Sequence, residues 1–167
     1  MKRILILSIL LFSYSVGLKA QTAIEKRTAD GSSVIDFAAG TTKGIILPAV
    51  ETLPATPANG TFLLYKIDQK IKMYQNGAWI DLSEAGSTTA IVPYSGNVDN
   101  GKKTIIGNRT TTADGVLVLE ASDKAMILPK VANPHLTVKG PYPGMMCYDT
   151  ISKSLAVFDG KLWNFWK

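Results

Sequence analysis

The sequence predicts an all-β protein made of two copies of a short-stranded, hairpin-rich unit, with no substantial helix in the mature chain. Two observations predict this class: an internal repeat, and short apolar runs bounded by Gly, Pro, Asn and Asp. The expected organisation is a signal peptide (1–20), a first β-unit (21–82), a Ser/Thr/Gly-rich linker-like segment with short strands (83–112) and a second β-unit (113–167).

The N-terminal segment has the features of a secretory signal. Lys2 and Arg3 precede an apolar run at residues 4–12, and small and polar residues follow up to Ala20. Cleavage is expected near Ala20, with Gly17 as the alternative position. A retained membrane anchor is the other interpretation, but the apolar run is well short of the roughly twenty residues that span a bilayer.

Signal cleavage changes the charge balance. The chain has 18 Lys and Arg against 13 Asp and Glu, a net charge of +5. Lys2, Arg3 and Lys19 leave with the signal, so 15 basic and 13 acidic residues remain and the net charge falls to +2. Nucleic-acid recognition needs a concentrated basic surface, so no nucleic-acid partner is expected.

The chain has one cysteine, Cys147, and therefore no internal disulfide. Cys147 lies in an apolar run and is predicted to be a buried small hydrophobic residue. A reactive thiol or an intermolecular disulfide is the alternative, and it requires an exposed Cys147.

The repeat extends over most of the mature chain. Residues 43–48 match residues 124–129, and a Pro-rich stretch follows each block. A glycine and an apolar run ending in tyrosine come next, at residues 60–65 and 144–148, and each copy closes on a glycine turn and a tryptophan. The residues that define the repeat are Pro48, Gly60, Tyr65, Gly77 and Trp79 in the first copy and Pro129, Gly144, Tyr148, Gly160 and Trp163 in the second.

Each copy is predicted to contain hairpins. Asn76-Gly77 and Asp159-Gly160 are dipeptides that accept positive φ in tight turns. A unit of about fifty residues with short strands buries too little apolar surface to offset a backbone entropy cost of about 1–2 kcal/mol per residue. We therefore expect the units to pack on each other or on copies from other chains.

These residues resemble a repeat found in exported proteins of Bacteroidetes, which often occurs in surface proteins that look like phage tail fibres. The resemblance implies a surface location and, by analogy with fibres, a trimer. The family often follows its proline with Arg and a Met-Thr pair, whereas this chain has Ala49-Val50 and Lys130-Val131. The matching residues are Ser32 to Asp36, Thr41 to Gly44, Leu47-Pro48, Pro57 to Gly60, Tyr65, Tyr74, Asn76-Gly77 and Trp79, then Lys124, Leu128-Pro129, Pro143-Gly144, Tyr148-Asp149, Asp159-Gly160 and Trp163.

No catalytic, cofactor-binding or metal-binding residues are expected. His135 is the only histidine and lies in a predicted loop, so a histidine-based triad or zinc site lacks a second histidine. The sequence has no Gly-x-Ser-x-Gly elbow, no evident carboxylate pair and no phosphate-binding glycine loop. A hydrolase is the least favoured hypothesis.

Two functions remain. The favoured one is a non-enzymatic structural or adhesive protein, secreted or at the cell surface, forming a fibre-like or stalk-like homo-oligomer. Trp79 and Trp163 then have structural roles. The alternative is a monomeric secreted β-module that binds a glycan or a surface protein, with Phe165 and Trp166 as candidate ligand contacts. Neither function needs a cofactor, or a transmembrane segment after signal cleavage.

Overall fold

The computed structural model describes residues 21–92 and 103–167. The predicted signal peptide and its cleavage site near Ala20 lie outside the described residues. Strands account for 36% of the structure and helix for 3%, which confirms the all-β class. No helix in the described ranges combines the length and apolar character needed to cross a membrane.

The first copy contains seven strands in chain order. They are β1 (Thr22–Ile24), β2 (Ser33–Phe37), β3 (Ile45–Ile46), β4 (Ala49–Val50), β5 (Phe62–Tyr65), β6 (Lys70–Gln75) and β7 (Ala78–Asp81).

Residues 103–167 contain seven further strands and one short helix. They are β8 (Thr104–Ile106), β9 (Leu117–Leu119), β10 (Ala125–Met126), β11 (Lys130–Val131), α1 (Pro134–Thr137), β12 (Met145–Asp149), β13 (Ser154–Phe158) and β14 (Trp163–Trp166).

The C-terminal part of each copy forms a sheet of the same topology. β4 lies parallel to β5, and β5, β6 and β7 form an antiparallel meander. β11, β12, β13 and β14 repeat this arrangement. The two prolines of the repeat have equivalent roles, because the carbonyl oxygens of Pro48 and Pro129 each accept a hydrogen bond, at 2.9 Å, from the N–H of Leu64 and of Tyr148.

The N-terminal strands of the two copies also correspond. β1 is parallel to β2, and β8 is parallel to β9. In each pair a backbone N–H donates to the end of the first strand, from Ala38 to the Ile24 carbonyl and from Glu120 to the Ile106 carbonyl. β8 lies within residues 83–112, the segment that the sequence analysis treats as linker-like. The repeated pattern of strands thus begins at β8 in the second copy.

Two strand pairings join the copies. β3 runs antiparallel to β12, with Ile45 and Ile46 opposite Met146 and Met145. β10 runs parallel to β2. A strand from each copy therefore completes a sheet of the other copy.

The largest buried cluster also combines both copies. Fully burying an aliphatic side chain contributes roughly 1.5–3 kcal/mol, so this cluster supplies a large part of the stabilisation. It consists of Leu47, Leu64, Ile71 and Leu82 from the first part of the chain and Met146 and Val157 from the second, with Phe62, Met73, Ile91, Met126, Leu128 and Leu155 packed against it.

A second cluster covers the opposite face of the second-copy sheet. Val131, Cys147 and Ala156 are its buried members, and Val138 and Trp163 pack against them. Cys147 is fully buried, as predicted. Burial, aided by the negative charge of Asp149, raises the pKa of its thiol to about 12.

Candidate functional site

The tryptophans of the repeat pack on aromatic rings of the preceding strand. Tyr74 and Trp79 lie opposite each other with ring centroids 5.3 Å apart at 62°. Phe158 and Trp163 form the equivalent pair at 5.5 Å and 46°. Aromatic pairs at such separations stabilise a hairpin beyond the area they bury. Both tryptophans thus contact their own hairpin.

The sequence pattern matches Tyr65 with Tyr148, but the strand register aligns the two copies differently at these tyrosines. Gly60 and Gly144 donate hydrogen bonds to the carbonyls of Tyr74 and Phe158, so both pairs of residues are offset by 84. This offset aligns Tyr148 with Leu64, and Tyr65 with Asp149. Since alternate residues of a strand point to opposite faces, a shift of one residue places the two tyrosines on different faces of their sheets.

The two glycine turns also differ. Asn76 and Gly77 both have positive φ, at 51° and 82°, and form the predicted two-residue turn. In the second copy only Gly160 has positive φ, at 98°, within a longer connection in which the Asp159 N–H donates to the Leu162 carbonyl. A Cβ on Gly160 would lie 1.9 Å from the carbonyl oxygen of Ser87. Close packing of residue 87 therefore requires glycine there.

The candidate ligand-contact residues lie on opposite faces of β14. Phe165 and Trp166 are 41% and 42% exposed. Phe165 contacts His135 edge-to-face at 6.1 Å, whereas Trp166 donates from its indole N–H to the carbonyl oxygen of Leu82 at 2.7 Å. The two rings therefore do not form one aromatic platform.

A small groove of about 230 Å³ is lined by both Phe165 and Trp166, together with Leu82. Charged and polar residues form its floor: Lys70, Asp81, Ser83, Glu84 and Asn164. Lys70 bonds Asp81 at 2.8 Å, and Lys72 bonds the same carboxylate at 2.5 Å. These two hydrogen bonds hold the pKa of Asp81 below its ordinary value. The groove can offer an indole face and paired charges to a polar ligand.

The burial of three aspartates was not predicted from the sequence: Asp36, Asp149 and Asp159 are each at most 2% exposed. Asp149 accepts hydrogen bonds from the backbone N–H groups of Asn133, Ile151 and Ser152 at 3.0–3.2 Å. Burial alone would raise the pKa of Asp149, but hydrogen bonding from the Ser152 side chain and from these backbone donors outweighs burial and lowers the pKa. For Asp149 and Asp159 the signal available in the sequence was an aspartate at the start of a polar turn.

The other two buried aspartates are also used by the fold. Asp159 accepts from the N–H groups of Lys161 and Leu162, each at 2.8 Å. Asp36 accepts from Lys26 at 2.6 Å and from the backbone N–H of Asp30 at 2.8 Å. Their oxygens are thus engaged in organising turns.

The fold and these contacts define a two-copy β-repeat protein with solenoid-like stacking of its units. Comparison with protein-family models, curated proteins and solved structures finds no match. The chain's own residues therefore carry the functional inference.

Proposed function

We propose that this chain is a non-enzymatic, exported structural or adhesive surface protein that works as a homo-oligomer of β-repeat units. The observation that carries the proposal is the shared core: equivalent residues of the two copies pack in a single cluster. The offset of 84 makes Phe62 equivalent to Met146, Ile71 to Leu155, and Met73 to Val157. A unit that shares its core in this way is suited to association with further units.

The use of the second copy's turn aspartates and of both tryptophans also supports a structural role. The turn aspartates hold backbone N–H groups, and the tryptophans pack within their hairpins. The export part of the proposal rests on the N-terminal signal. Expression of the full chain followed by fractionation and N-terminal sequencing tests it: a mature protein beginning near Gln21 outside the cytoplasm is expected, and an unprocessed cytoplasmic chain would contradict it.

Light scattering on residues 21–167 tests the oligomer. We expect a mass that is a multiple of the monomer mass, three-fold by the fibre analogy. A folded protein that stays monomeric up to high concentration would remove the oligomeric part of the proposal.

The exposed C-terminal aromatics favour the second candidate, a glycan- or protein-binding module. Phe165 and Trp166 both line a polar groove and are exposed to a similar extent. A glycan array with wild type, Trp166→Ala and Phe165→Ala shows which of the two rings binding depends on. Leu162→Ala is the matched control, because Leu162 is an apolar residue that is 70% exposed and does not line the groove. Absence of binding by the wild type would reject this candidate.

A further inference from the structure

The two equivalent sheets differ along one strand edge. β12 is paired on that edge by two strands, β11 at Tyr148 and Asp149 and β3 at Met145 and Met146. β5 is paired there by β4 alone, at Leu64 and Tyr65. Among the described residues no strand occupies the position on β5 that β3 occupies on β12.

Burial follows the same difference. Met145 and Met146 are 9% and 2% exposed under β3, whereas Thr61 and Phe62, their equivalents, are only half-buried. A Cβ on Gly144 would lie 3.4 Å from the carbonyl oxygen of Leu47, in the segment that β3 continues into. At Gly60 the described residues leave the same position open.

The backbone of β5 is oriented to accept another strand. Leu64 donates its N–H to Pro48, and Thr61 accepts from the N–H of Tyr74 on the opposite edge. Because backbone groups alternate between the two edges of a strand, Phe62 directs its N–H and C=O to the unfilled edge. The equivalent residue Met146 uses that edge to pair with Ile45.

The chain contains a second strand of the type that fills this edge. β10 belongs to the block that matches the β3 block, with Met126 at the position of Ile45. Ala125 and Ile127 donate their N–H groups to the carbonyls of Ser32 and Ile35. By alternation, Met126 and Leu128 direct their backbone groups to the opposite edge of β10. The equivalent edge of β3 is the one that pairs with β12.

A reciprocal pair of edges exists at the other end. β2 has β1 on one side and β10 on the other, but β9 pairs only with β8 within the described residues. Ile35 and Leu117 hold equivalent positions, because each pairs with the first residue of the preceding parallel strand. Ile35 is 5% exposed, whereas Leu117 is 44% exposed. The free edge of β3, at Gly44 and Ile46, borders a cleft of about 650 Å³.

We propose that a second molecule of this chain fills these edges, so that chains associate head to tail by β-strand addition. β10 of one chain pairs antiparallel with β5 of the next chain, with Phe62 opposite Met126 and Thr61 opposite Ile127. β3 of that next chain pairs in turn with β9 of the first chain. Both contacts repeat between chains what the chain already forms within itself, and the edge-to-edge backbone bonding is that of β-augmentation.

This contact specifies the geometry of the oligomer and rests on the proposed function. It joins two different surfaces, so it generates a closed ring or an open filament and not a symmetric dimer. Ala125 stands where Gly44 makes its close approach to Met145 and to the Met146 carbonyl oxygen. The smaller Thr61 replaces Met145 at the new contact, and the strands sit slightly farther apart there.

Disulfide trapping tests the proposal on residues 21–167. Cross-strand pairs that do not share hydrogen bonds have Cα atoms within disulfide reach. Thr61→Cys and Ile127→Cys are produced with different tags, folding is checked by circular dichroism, and the chains are co-expressed and oxidised mildly. We expect a mixed dimer linking Thr61→Cys to Ile127→Cys, none from either variant alone, and a ladder of multimers when both cysteines are on one chain.

Three controls fix the interpretation. Ile46→Cys/Met145→Cys is the matched in-chain pair and should close within one molecule. Ile151→Cys, at a turn residue that is 61% exposed, measures random collision, and the wild type contains only buried Cys147. Closure of the in-chain pair without a mixed dimer, or dimers of Thr61→Cys alone, would overturn the proposal.

The mass measured before oxidation distinguishes failure of the proposed interface from failure of the proposed function. An oligomer that does not give the mixed dimer overturns this interface and leaves the proposed function standing. A monomer that gives no mixed dimer overturns this interface and also the oligomeric part of the proposed function.

Discussion

The indole N–H of Trp166 donates a hydrogen bond of 2.7 Å to the carbonyl oxygen of Leu82, a residue 84 positions earlier in the chain. The separation equals the offset of the repeat, so the bond joins equivalent positions at the ends of β7 and β14. Leu82 is itself 2% exposed and belongs to the shared core. This bond therefore fastens the two copies together beside their common cluster.

Trp166→Phe should destabilise the fold, because the Leu82 carbonyl loses its donor while an aromatic ring is retained. The expected loss in the free energy of unfolding is about 1–2 kcal/mol, measured by urea denaturation. Phe165→Tyr is the control on the neighbouring position and should change stability little. Unchanged stability in Trp166→Phe would mean that the bond does not hold the copies together.

Gly160→Ala should be more harmful than Gly77→Ala. Both positions have positive φ, which costs a residue with a Cβ about 1–2 kcal/mol. At Gly160 the new methyl group also meets the carbonyl oxygen of Ser87, whereas the space at Gly77 is open. Thermal denaturation should therefore show the larger fall in Tm for Gly160→Ala, and equal falls would contradict the close packing of Ser87.

The buried aspartates should make the fold sensitive to acid. Hydrogen bonds lower the pKa of Asp149 below the ordinary value of 3.8 despite its burial. A lowered folded-state pKa contributes stability that is fully present above the ordinary pKa and is lost as the pH falls through the lowered one. Burial also acts to raise the pKa of Asp36, but the hydrogen bonds from Lys26 and two backbone donors together outweigh it, so this pKa is lowered as well.

Asp149→Asn should reduce this dependence. The amide keeps one acceptor oxygen where the carboxylate uses both, so the variant should lose about 1–3 kcal/mol at neutral pH. Its stability should then fall less steeply than that of the wild type between about pH 5 and pH 2, as followed by urea unfolding at each pH. Asp123→Asn, at an exposed position, is the control, and a parallel pH slope in Asp149→Asn would contradict this role.

Cys147 should be inert in the folded protein. Its side chain is buried and its thiol pKa is raised to about 12, so very little thiolate is present near neutrality. A thiol reagent at pH 8 should label the native chain only as fast as it unfolds, and one equivalent should react at once in denaturant. Rapid labelling of the native protein would contradict the burial of Cys147.

The hairpin strands were predictable because their signals are local. The turn at Asn76-Gly77 and the apolar runs that become β5 and β12 follow from residue types and short-range pattern. The alignment at Tyr148 was not, because hydrogen bonds from Gly60 and Gly144 set the register across strands. The pairings of β3 with β12 and of β10 with β2 link distant two-residue strands, and such short segments carry no periodicity that identifies their partner.

The candidate ligand residues show the same limit. Phe165 and Trp166 were identified from composition and position, and both are exposed. Their separation onto opposite faces follows from the extended conformation of β14. The bond from Trp166 to Leu82 depends on how the two copies pack, which no local pattern encodes.

The mass of charge-altered chains tests most directly whether copies assemble through these edges. Light scattering over a concentration series would compare wild-type residues 21–167 with Thr61→Lys/Ile127→Lys, which places like charges opposite each other at the proposed contact, and with Thr61→Glu/Ile127→Lys, which places opposite charges there. We predict an oligomer for the wild type, a folded monomer for the Lys/Lys chain and a restored oligomer for the Glu/Lys chain. A wild type that remains monomeric, or three chains of identical mass, would contradict the account.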